Sequence, residues 1–147
     1  MTTTTNQHYP KDLYAWALQN AELIRKGKFS EVDSANVAEE LESMGNNNRR
    51  ELINRFAILI AHLLKWKLQS VRRSKSWVLM IKNQRFEIAD LLEESPSLKH
   101  QIELKFDYAY QKAIIIASEQ TGMDESEFPE TCPFSLSECL NLDFLPN

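Results

Sequence analysis

A chain of 147 residues that is 43% apolar and 26% charged, with three glycines and five prolines, has the length and makeup of one folded domain and leaves little material for hairpins or low-complexity tracts. Its net charge of −4 and pI near 5.4 argue against a dedicated duplex-binding domain, which would be basic. That sum hides a separation, because residues 49–85 hold ten Lys or Arg against the single acid Glu51, while the other 110 residues hold seven bases and twenty acids.

The opening MTTTTNQHYP has neither a basic nor an apolar leader region, and no long apolar run follows, so a cytoplasmic protein without a membrane span is expected, its residues 1–9 frayed. Pro10 and Asp12 open a first helix near 11–26, with Leu13, Trp16, Leu23 and Ile24 along one side. Gly27 ends it, with Arg25, Lys26 and Lys28 at the negative end of its dipole. Asp33 or Ser34 caps a second helix, 34–45, striped by Val37, Leu41 and Met44. Gly45 closes it and Asn46-Asn47-Asn48 turn the chain, Asn48 and Glu51 resembling a capping box.

The third helix, 49–69, is the expected centre of the bundle. Leu52, Ile53, Phe56, Ala57, Leu59, Ile60, Leu63, Leu64 and Trp66 fill about half its circumference, so it must be covered on several sides. Ser74 caps a fourth helix, 75–94, whose apolar face (Trp77, Ile81, Ile88, Leu91, Leu92) also receives Gln84 and Arg85. An unpaired guanidinium there would be prohibitive, so Arg85 must meet a carboxylate or backbone carbonyls. Ser95-Pro96 open a fifth helix, 97–121, with a main stripe from Leu98 through Ile102, Phe106, Ala109 and Ala113 to Ala117 and a second stripe of Leu104, Tyr108 and Ile115. The tail 122–147 is too apolar for disorder; it is expected to be ordered and to wrap the bundle, covering that second stripe, with Ser135 and Glu138 capping a short helix. Cys132 and Cys139 match no zinc or thioredoxin spacing and read as free thiols. The fold expected over residues 1–147 is therefore an all-α, single-domain bundle of about five helices with an ordered, Pro/Phe-containing C-terminal tail.

Taken jointly, Asp12-Leu13-Tyr14-Ala15-Trp16, Glu39-Glu40-Leu41-Glu42-Ser43-Met44-Gly45, His62-Leu63-Leu64-Lys65-Trp66, Ser74-Lys75-Ser76-Trp77, Gln84-Arg85-Phe86-Glu87-Ile88, Ser95-Pro96-Ser97-Leu98, Phe128-Pro129, Cys132-Pro133-Phe134 and Asp143-Phe144-Leu145-Pro146 resemble the bacterial and cyanobacterial "domain of unknown function, family 29". The resemblance spans almost the whole chain. It implies a small helical bundle and no established activity.

Three functions are open to these residues. The leading one is a non-enzymatic protein-interaction or regulatory module, with a protein partner or a second copy held at Leu104, Tyr108 and Ile115. The second is nucleic-acid or other anion binding through Arg49, Arg50, Arg72, Arg73 and Lys75, although the central helix of about twenty residues puts these two groups about 30 Å apart. The third is a metal-dependent enzyme using His62 with Glu39, Glu40 and Glu42, but no Glu-x-x-His or His-x-x-x-His spacing accompanies them. The simpler expectation is that Glu39, Glu40, Glu42, His62 and Arg85 form a buried polar cluster, with no catalytic residue, no metal and no cofactor.

Overall fold

A computed structural model describes Tyr9 and residues 11–147; the frayed start expected over 1–9 otherwise lies outside the described residues, as does Pro10. The described chain is all-α, with helices α1 (Leu13–Arg25), α2 (Ser34–Leu68), α3 (Lys75–Glu94), α4 (Leu98–Leu104), α5 (Phe106–Thr121) and α6 (Leu136–Leu140). Single 3₁₀ turns occur at Phe29–Glu31, Ser70–Arg72 and Glu125–Glu127. No helix among the described residues is long and apolar enough to cross a membrane. The chain divides into two compact units, residues 1–47 and 48–147, and α2 supplies residues to both.

In the first unit, Asp12 caps α1 by accepting from the Ala15 amide at 3.1 Å. Gly27, at φ +74°, ends it in the left-handed conformation that costs a glycine nothing. What holds this unit is a polar lock around Trp16. The indole Nε1 donates to Asp33 Oδ2 at 2.9 Å, Asn36 Nδ2 donates to the same oxygen at 2.8 Å, the Asp33 amide donates to Asn20 Oδ1 at 2.8 Å, and Asn20 Nδ2 donates to Trp16 O at 3.0 Å. Burial alone would raise the Asp33 pKa, but the bonds from Asn36 and Trp16 outweigh it and hold the carboxyl below its ordinary value. Trp16 is the one buried hydrophobic side chain among the described residues of this unit.

The expected turn at Asn46-Asn47-Asn48 is absent, and one uninterrupted helix of 35 residues replaces the two expected at 34–45 and 49–69. Gly45 is helical, not left-handed, and a Cβ on it would meet nothing within 4 Å. A glycine and three asparagines lower helix propensity by about 1 kcal/mol and roughly 0.6 kcal/mol each. That weakens a helix without ending one, since none of these residues prevents the backbone bonds from continuing. Leu41 and Met44, expected to form a buried stripe, are 62% and 64% exposed.

In the second unit, residues 59–65 of α2 are buried all round, His62 and Lys65 included, so the helix is covered on more sides than its apolar face requires. Ile81 and Ile88 from α3, Ile102 from α4, and Ala109, Tyr110, Ala113 and Ala117 from α5 close around it. Ser74 caps α3 as expected. The expected helix 97–121 is two, broken at Lys105, whose ψ of 14° leaves the helical region. The break lets Ile102 stay buried while Phe106 turns edge-on to Phe56 at 5.5 Å. The tail is ordered and gives Phe128, Phe134 and Cys139 to the core, with Ser135 and Glu138 forming the expected capping box of α6. It does not cover the second stripe, for Leu104, Tyr108 and Ile115 are 63%, 55% and 56% exposed.

Candidate functional site

Of the five polar residues expected to cluster, Arg85, His62 and Glu40 each have a hydrogen-bond partner within their own unit. Arg85, 3% exposed, donates from Nε to Cys139 O at 2.8 Å and from Nη2 to Glu138 O at 3.3 Å, so it clamps the end of α6 through backbone carbonyls. His62 Nδ1 lies 2.8 Å from Ile58 O, an acceptor, so Nδ1 carries the proton. Burial pushes the imidazole pKa down, with the Ile58 bond opposing and Lys65 reinforcing the shift, which leaves the ring neutral. Glu39 and Glu42 are exposed, and Glu40 accepts from the Tyr9 hydroxyl at 2.8 Å. The arginine and histidine are thus satisfied by backbone, while Glu39 and Glu42 are exposed and Glu40 meets Tyr9. No group of three or more His, Cys, Asp or Glu arranged to hold a metal occurs among the described residues.

Lys65, also on α2, is buried. Its Nζ donates to Gln120 Oε1 at 2.8 Å and stands 4.7 Å from the Trp77 ring centroid, and burial lowers its pKa. Cys132 and Cys139 are free thiols, as expected.

Two surfaces remain with something to do. In the first unit, α1 is apolar, apart from the exposed Arg25 in its last turn, on an arc that the Trp16 lock does not use. At 100° per residue, Leu13, Tyr14, Leu18 and Ile24 fall within about 140°, with Ala17 and Ala21 between them. Leu13, Tyr14, Leu18 and Ile24 are 49%, 76%, 54% and 43% exposed, and Phe29 beyond the helix is 69% exposed.

In the second unit, a cleft of about 270 Å³ opens between the start of its α2 segment and the α4–α5 junction, with Arg49, Arg50, Lys105 and Lys112 around it. No ion pair engages any of the four among the described residues. Tyr108 stands between the lysines, its ring centroid 5.5 Å from Lys105 Nζ and 5.7 Å from Lys112 Nζ. Lys112 Nζ also donates to Asn54 Oδ1 at 2.5 Å, and the buried Ile53 adds an apolar patch. This joins Arg49 and Arg50 to Tyr108, which the sequence reading had assigned to separate functions. Lys105 and Lys112 were missed; the available signal was their spacing, since 105, 108 and 112 share one helical face.

Arg72, Arg73 and Lys75 lie elsewhere. Arg73 Nε donates to Trp66 O at 2.8 Å with its Cζ 4.8 Å from the Trp66 ring centroid, while Arg72 and Lys75 are exposed.

A family model described as a domain of unknown function, DUF29, matches residues 8–145. No curated protein and no solved structure matches the chain.

Proposed function

Because the chain belongs to the DUF29 family, whose description carries no activity, we propose a function from the surfaces it presents: a non-enzymatic protein-interaction module that pairs with a second copy of itself through the apolar outer face of α1. One observation carries this reading. Among its described residues the first unit buries a single large hydrophobic side chain, Trp16, and leaves Leu13, Tyr14, Leu18 and Ile24 on the outer face of α1 between 43% and 76% exposed. At about 200 Å² for a fully exposed large side chain, these four present roughly 440 Å², about half of one partner's share of a standard interface. A contiguous apolar patch of this size on a monomer often marks an interaction surface. Ala17 and Ala21, one turn apart within the arc, allow a facing helix to approach to about 8 Å with Leu13, Tyr14, Leu18 and Ile24 around the contact. A second copy offers the same surface by symmetry, the simplest closed arrangement.

Sedimentation of the full chain across concentration tests it. A reversible dimer is expected, and Leu18→Glu, at an exposed position, is expected to leave a folded monomer. A wild-type chain still monomeric at about 100 μM, or one that dimerises equally well as Leu18→Glu, overturns the reading.

The nucleic-acid reading comes second, favoured by the four cations around Tyr108. It is weakened because Arg73 is already committed to Trp66, and because Arg72 and Lys75 follow the far end of α2, about 30 Å from Arg49 at 1.5 Å per residue.

A further inference from the structure

The cleft of the second unit holds four cations that the interaction reading does not use. Like charges cost free energy when held together, so their convergence calls for a cause. Part of it is local. The Tyr108 ring draws Lys105 and Lys112 to within 5.5 and 5.7 Å, and Asn54 fixes Lys112 further. Neither contact neutralises a charge. The lining contains no acid, and Asp107, next to Tyr108, lies about 100° round the helix.

We propose that this cleft binds the phosphomonoester group of a small phosphorylated molecule, with Arg49, Arg50, Lys105 and Lys112 as its counter-charges. The number and kind of cation favour a dianion over a carboxylate. Two guanidinium forks can each present paired N–H donors, and two ammonium groups add point charge, a set that three phosphate oxygens satisfy and a single carboxylate does not. Size favours a small ligand. A cleft of about 270 Å³ falls just below the usual range for ligand pockets, so it admits a phosphate and a few attached atoms but not a nucleotide. A nucleic-acid strand would need cations spaced along successive phosphates. These four line a single cleft instead.

The test is a titration of the full chain followed by amide chemical shifts, using glycerol 3-phosphate and inorganic phosphate as probes, acetate as the singly charged control and a twelve-nucleotide oligothymidine as the polyanion. Saturable one-to-one binding of glycerol 3-phosphate at pH 7.5 is expected, with shifts at Asn54, Tyr108 and Lys112. It should weaken at pH 5.5, where a phosphomonoester with a second pKa of about 6 is mostly monoanionic. Each of Lys105→Gln and Lys112→Gln removes a charge-assisted contact and is expected to raise Kd about tenfold or more. Arg50→Gln, at an exposed position, supplies a third variant should either lysine change disturb the fold. Equal affinity for inorganic phosphate would identify the phosphate group itself as all that is read, and tighter binding of the ester would identify an organic ligand; both uphold the site. Non-saturable shifts, equal affinity for acetate, variants with unchanged Kd, or tighter binding of the oligonucleotide would overturn it.

Discussion

Arg85→Ala is expected to release the C-terminal segment from the core. The guanidinium reaches across from α3 to the last turn of α6, where carbonyls run out of helical partners. Glu138 O also accepts from the Asn141 amide at 3.3 Å, so the loss falls chiefly on Cys139 O. A short charge-assisted bond contributes about 1.5–3 kcal/mol, and the longer Nη2 bond adds less; the unsatisfied carbonyl left behind is part of the same cost. The total is about 3 kcal/mol. With a urea slope of roughly 1.5–2 kcal/mol/M for a chain of this size, the midpoint of the transition should fall by about 1.5–2 M. A local readout is also at hand, because Cys139 is fully buried. If about 3 kcal/mol is lost from closing the tail, the open fraction rises about 100-fold, and labelling of Cys139 by a thiol reagent, located by peptide mass, should accelerate to match. An unchanged midpoint with unchanged Cys139 labelling would refute the clamp. A lower midpoint with slow labelling would place the contribution of Arg85 in packing.

Two further outcomes follow from the described contacts. Burial holds the His62 pKa below 6.5, so as pH falls past about 6.5 the unfolded chain takes up a proton that the folded chain does not, and stability drops; urea midpoints between pH 7.5 and 5 should show this fall, and His62→Gln should remove the part that His62 causes. Gly45→Ala places a methyl group in open space on a helical backbone and should stabilise the chain by about 0.5–1 kcal/mol, read as a raised thermal midpoint; a lowered one would mean that Gly45 leaves the helix.

Much of the second unit was legible because its signals are local and redundant. Ser74 before Trp77, and Ser135 with Glu138, are caps in the sequence and caps in the structure. The stripe from Leu98 to Ala117 is mostly buried although its helix is broken at Lys105, because side-chain period survives a break that no Gly or Pro announces. The turn at Asn46-Asn47-Asn48 was misread for the opposite reason: turn-tolerant residues permit a turn without compelling one. The lock in the first unit escaped because it joins Trp16 and Asn20 to Asp33 and Asn36 across the Phe29–Glu31 turn, and no periodicity marks a hydrogen bond between segments. Nor does period reveal that the tail leaves Leu104, Tyr108 and Ile115 exposed, since an amphipathic stripe states a capacity to be buried and not the element that buries it.

The basic stretch 49–85 shows why a segment's charge is a poor guide to its function. Six of its ten cations go to different work. Arg55 pairs with Glu51 at 3.0 Å and with Glu87 at 3.8 Å, which is ordinary surface pairing. Arg85 and Lys65 are buried among carbonyls, an amide and an aromatic ring, where they organise the core. Arg73 is stacked on Trp66. What the sum of charges suggested as one electrostatic footprint is thus divided among pairing, packing and stacking, and only Arg49 and Arg50 enter the cleft. The cations that complete it, Lys105 and Lys112, come from outside the basic stretch, in a part of the chain whose composition is unremarkable. Convergence in space, from α2 on one side and the α4–α5 junction on the other, makes the site, and it is for that reason that substitutions at Lys105 and Lys112 are the sharper test of anion binding than any change to Arg72 or Arg73.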